Sequence, residues 1–168
     1  MIKNIWFGLL FIVFYGCSVS SETSKQSPIE GLWQLHSMQV RNPENGVWSH
    51  YRGGMQGYLL YDGKKNMTIH LTDKGYQDTD LVFPNFTDTI SDEALKYLTK
   101  SYYYIGEYQV LNDSLVQHER ISHSNPGDWG KKVVRHYQFS GDTLVITPTE
   151  ARNANLKLKW LRDAQTTM

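Results

Sequence analysis

From residue 31 the chain alternates. In Leu32-Trp33-Gln34-Leu35-His36-Ser37-Met38-Gln39-Val40, an extended backbone puts Trp33, Leu35 and Ser37 on one face and Gln34, His36 and Met38 on the other. The same period recurs at Gly57-Tyr58-Leu59-Leu60-Tyr61 and at Met67-Thr68-Ile69-His70-Leu71. The Asp62-Gly63 pair between these two segments tolerates positive φ and predicts a hairpin. Residues 102–111 place Tyr102, Tyr104, Gly106, Tyr108 and Val110 on one face, and 115–122 place Val116, His118 and Arg120 on one face. Further strands are predicted over 132–139, 143–147 and 156–161, the last with Leu156, Leu158 and Trp160 together. Residues 47–51 form a short strand or lip after the turn Arg41 to Gly46.

One segment has helical character. Ser91 is an N-cap residue, Asp92 and Glu93 follow in the first turn, and Lys100 closes the last. Its stripe of Ala94, Leu95 and Leu98, with Tyr97 beside it, predicts burial against an open end of the β-structure. The stretch 72–90 is acidic, irregular and holds Pro84, so it is expected to leave the sheet as a long excursion. About eight short strands joined by hairpin turns, with no βαβ alternation, predict an all-β, antiparallel up-and-down barrel with one short helix near a barrel end. Eight strands enclose an interior that side chains fill or that holds one small ligand.

Gly31-x-Trp33 opens the first strand. The glycine lets backbone pass close to the indole, which is expected to plug one end of the barrel. Arg162 and Arg135 are candidates for a cation over that ring.

The N-terminus changes the picture of address. Lys3 precedes the apolar run Ile5 to Phe14, which is too short to span a bilayer and right for a signal sequence. Phe14-Tyr15-Gly16-Cys17 resembles a bacterial lipobox, in which the cysteine becomes the first residue and carries acyl chains such as palmitate. Residues 1–17 are therefore expected to be a lipoprotein signal peptide ending at lipidated Cys17. Residues 18–28 read as a polar tether, 29–162 as the barrel domain and 163–168 as a frayed tail. Acyl chains contribute about 0.8 kcal/mol per buried methylene, so two or three hold a protein firmly on a membrane. Ser18 after the cysteine favours an outer-membrane address facing the periplasm. Cys17 is the only cysteine, which excludes a disulfide scaffold.

Composition then removes whole classes. The 168 residues suffice for one domain, and the 17 acidic and 17 basic side chains leave no field for nucleic acid. The six histidines are scattered, and His118 and His123 are expected to face different ways, so no metal site is expected. No nucleophile elbow, phosphate loop or dinucleotide fingerprint occurs, so neither a cofactor nor a catalytic residue is assigned.

The order Gly31-x-Trp33, Gly57-Tyr58-Leu59-Leu60-Tyr61, Tyr104-x-Gly106-x-Tyr108, Val116-x-His118 and Arg135-x-Tyr137 resembles the lipocalin-like domain family, over residue 29 to about 147 and more weakly the last strand. The resemblance implies a barrel with a small-molecule cavity and no reaction.

Candidate ligand-binding residues are Tyr61, Tyr104, Tyr108, His118, Arg120, Arg135 and Tyr137. A basic pair beside tyrosine hydroxyls suits a carboxylate or phenolate on an otherwise apolar molecule. The competing reading pairs these cations with Glu107 or Glu119, or turns them to solvent. Three functions follow: a lipid-anchored monomer binding a small apolar or amphipathic molecule, an envelope interaction or inhibitor protein with a filled barrel, or a cofactor-free isomerase or cyclase.

Overall fold

A computed structural model describes residues 27–84 and 89–163. The signal segment with Cys17, the tether up to residue 26, residues 85–88 of the excursion and the tail from 164 lie outside the described residues. Nine strands form one antiparallel sheet: β1 (Gly31–Arg41), β2 (Trp48–His50), β3 (Met55–Tyr61), β4 (Asn66–Asp73), β5 (Ser101–Asn112), β6 (Leu115–His123), β7 (Lys132–Ser140), β8 (Thr143–Pro148) and β9 (Leu156–Arg162). Pairing of β1 with β9 closes β1 and β3 to β9 into an eight-stranded barrel, and β2 is an extra strand on the upper end of β1.

The lower end is sealed around Trp33, which is 1% exposed. Its indole N–H donates to the Ile29 carbonyl at 2.8 Å. The Arg162 guanidinium lies 4.3 Å from the Trp33 ring centre and donates to the carbonyls of Glu30 and Pro28. Gly31 (φ +117°) makes this possible, because a Cβ there would sit 2.6 Å from Arg162 Nη1. Of the two cations considered for the plug, Arg162 takes the place; Arg135 lies elsewhere, in the barrel wall.

Two bulges correct the simple alternation. Between Leu35 and Ser37, β1 carries one residue more than β9, so Leu35 and Met38 are both buried and Ser37 is not an inward partner of Trp33. In β6 the register slips at Ile121, opposite Ile105 and Gly106 of β5. Beyond the slip, His123 points inward like His118, where opposite orientations were expected.

Helix α1 (Asp92–Leu98) begins where Ser91 Oγ accepts from the Ala94 N–H. Its apolar stripe is not buried as expected: only Ala94 is covered, while Leu95 and Leu98 face solvent. Tyr97 does the holding instead, packing tilted against Tyr76 and donating to its carbonyl at 2.7 Å.

Candidate functional site

A cavity of about 380 Å³ occupies the barrel at the end away from Trp33. Leu59, Ile69, Leu71, Ile146, Leu158 and Trp160 form its apolar walls. Tyr102, Tyr104, His118 and Arg135, from β5, β6 and β7, form one polar wall. Arg52, Asp73, Lys100, Asp128 and Arg152 stand at the mouth. Alternation explains the polar wall: positions 102 and 104, 118 and 120, and 135 and 137 are inward positions on adjacent strands.

His118 sits between two phenols. The Tyr61 hydroxyl is 2.8 Å from Nε2 and the Tyr104 hydroxyl is 2.8 Å from Nδ1. Burial, with Arg135 and Arg120 nearby, holds the imidazole well below its usual pKa, so it is neutral. A neutral ring has one donor and one acceptor nitrogen. Tyr61 is 1% exposed and its hydroxyl has no other partner among the described residues. Its proton must therefore go to Nε2, since leaving it unbonded would cost about 1–3 kcal/mol. The ring proton is then on Nδ1 and is donated to the Tyr104 oxygen. Tyr104 keeps its own O–H, and the residue borders the cavity. Burial pushes the Tyr104 phenol up to about 12 and Tyr61 well above its ordinary value, so both stay protonated.

His123 repeats the pattern. Its Nδ1 accepts the Asn125 backbone N–H at 2.7 Å, so Nε2 carries the proton and donates to the Tyr102 hydroxyl at 3.2 Å. Tyr102 also borders the cavity with its O–H unspent. The His123 ring stacks on Tyr104 at 5.4 Å and meets Tyr102 edge-on at 5.0 Å.

Behind these rings lies a buried ion network. Glu150 accepts from Arg120 at 3.2 Å and from Arg135. Asp128 faces Arg120 at 3.6 Å and accepts from Arg152, Lys131 and Asn125. Burial alone would raise the Asp128 carboxyl, but the bonds and charges of Arg152 and Lys131 outweigh it and bring it to about 2. Glu150 is likewise lowered, burial being outweighed by Arg135 and Arg120. The expected acidic partners are corrected here: Glu107 pairs with Lys65 and Glu119 with Lys132, both outside the barrel. The carboxylates come instead from the loops after β6 and β8, which only the closed barrel brings together.

Of the sequence candidates, Tyr104, His118 and Arg135 border the cavity. Tyr61 lies behind His118, with Tyr108 packed on it at 4.7 Å between ring centres. Arg120 lies behind Tyr104, its guanidinium 5.3 Å from the ring centre. Tyr137 belongs to the lower end, donating to the Asn112 carbonyl at 3.0 Å and packing edge-on against Phe139. Sequence reasoning put Tyr102 in a row with Tyr104 without carrying it into the candidate set, and missed His123, Asp128 and Glu150. Tyr102 shares the face of Tyr104 and was within reach of the alternation. The other three depend on a bulge and on loop closure, which leave no periodic signal.

No curated protein matches the chain. A family model described as a lipocalin-like domain matches residues 30–168, which runs through all nine strands and past the last of them. With the closed barrel, the Trp33 plug and the lined cavity already in view, that match over most of the chain shows that this protein belongs to the lipocalin-like domain family.

Proposed function

We propose that the protein binds a small apolar or amphipathic molecule inside its barrel, as a monomer tethered by acyl chains on Cys17 to a bacterial outer membrane, facing the periplasm. The observation that carries the binding reading is the cavity of about 380 Å³, of ordinary ligand-site size, with an apolar lining and one polar wall. An interior of that kind favours ligand carriage over a filled barrel acting through its loops. The lipobox-like Tyr15-Gly16-Cys17 and the polar segment after it support the tether. Native mass spectrometry of the protein, extracted mildly from its own host's membranes, tests both parts at once. Expected are a mass showing cleavage before Cys17 with acyl chains added, and a second molecule released on activation. A bare, unacylated chain in the soluble fraction, with nothing bound, contradicts both.

A further inference from the structure

We propose that the ligand's polar group is an oxygen acceptor, a carboxylate or a ketone carbonyl, held by the hydroxyls of Tyr102 and Tyr104. This rests on the ligand-carrier reading and goes beyond it to the class of head group. The two phenols stand two residues apart on the inward face of β5, their rings edge-on at 6.0 Å. Each oxygen accepts from a histidine: Tyr104 from His118, Tyr102 from His123. Each hydroxyl hydrogen is then left without an acceptor among the described residues, and the cavity is the space both border. The histidines thus act as positioning residues that turn two ambivalent hydroxyls into donors.

The carboxylates nearby already face cations. Glu150 is held by two arginines, Asp128 by Arg152, Lys131 and Asn125, and Asp73 by Arg52. His123 Nδ1 is held by the Asn125 backbone. A carbonyl or carboxylate entering this end meets donors that lack acceptors. An ammonium group meets the same donors, and the carboxylates at this end already face arginine or lysine, so its lost water is poorly replaced.

Calorimetric titration of the folded protein with four probes of matched chain tests this: decanoate, methyl nonyl ketone, decanol and decylammonium. Decanoate, the ketone or both should bind about tenfold or more tighter than decylammonium, with decanol between. Either order of decanoate and ketone supports the proposal, and the order tells whether the positive charge of Lys131 and Arg152 reaches the head group. Tyr102→Phe should keep the circular dichroism of the parent and lose most of that preference. Decylammonium binding as tightly as decanoate and the ketone, or a Tyr102→Phe variant that keeps the full preference, overturns the proposal while leaving the carrier reading intact. Binding of none of the four overturns both. Tyr104→Phe leaves His118 Nδ1–H unpaired and can fail to fold, so a second readout uses the intact protein. Imidazole ¹⁵N shifts should show the proton of His118 on Nδ1 and that of His123 on Nε2. A His118 proton on Nε2 would spend the Tyr104 hydroxyl on the ring and overturn the assignment.

Discussion

At the scale of single residues, His118 sets the chemistry of the interior. It is 2% exposed and bonded at both nitrogens, and burial beside Arg135 and Arg120 keeps it neutral. Its folded pKa is held below the unfolded value of about 6.5 by burial first, then by Arg135 and Arg120. The unfolded chain therefore binds a proton that the folded chain refuses. Stability is complete above about pH 6.5 and is lost as pH falls from there, by up to about 1.4 kcal/mol per pH unit from this group. Urea unfolding at a series of pH values should show this slope, and His118→Gln should flatten it. His123, lowered chiefly by burial, adds a smaller slope of the same sign. Asp128 acts in a separate window, since its folded value of about 2 makes its contribution disappear only as pH drops below the unfolded value near 3.8. Removing a carboxylate gives a second test. Glu150→Gln strips the charge from between two buried arginines and should cost about 3 kcal/mol in urea unfolding. The outer-surface change Glu107→Gln, opposite exposed Lys65, should leave the midpoint unchanged.

At the scale of elements, the pairing of β5 with β6 decides what the polar wall contains. Gly106 lies against the β6 backbone so closely that a Cβ would overlap the Glu119 carbonyl oxygen. That close approach sits beside the slip at Ile121, which turns His123 inward. Gly106→Ala should therefore destabilise by about 1–3 kcal/mol and move the His123 ring resonances, measured by thermal unfolding and NMR. A variant of parental stability with unchanged His123 signals would contradict this account of the bulge. The inward faces of β5, β6 and β9 were legible, because alternation over several residues has only one way to meet a core. The bulges in β1 and β6 were not, because an extra residue leaves no mark in a list of polar and apolar positions. Helix α1 shows a different limit. Its capping signals were local and readable, but its stripe promised a burial that the short helix does not make, since Tyr97 and Tyr76 secure it without Leu95 and Leu98.

At the scale of the whole molecule, the two ends of the barrel are built for different tasks. The lower end is closed by Trp33, Arg162 and the chain at 28–30, a cap assembled from the first and last strands of the fold. The upper end keeps an open interior, and its mouth is held by a strap in which Arg52 (φ +51°) pairs with Asp73 and reaches the Thr99 carbonyl. The plug was readable from Gly31-x-Trp33 because its physics is local. Strand count left a filled and a hollow interior both open, and the ion network was readable only from coordinates, since Asp128 and Glu150 come from loops that meet the arginines only in the closed barrel. Methyl-selective NMR with added decanoate addresses the central claim most directly, because apolar methyl groups lie on both sides of the barrel wall. Binding inside should shift Met38, Ile69, Ile146 and Leu158, which line the cavity, and leave Ile105 and Ile121 on the outer face in place. Shifts confined to Ile105 and Ile121, or no shift at any of these methyls, would contradict a ligand held within the barrel.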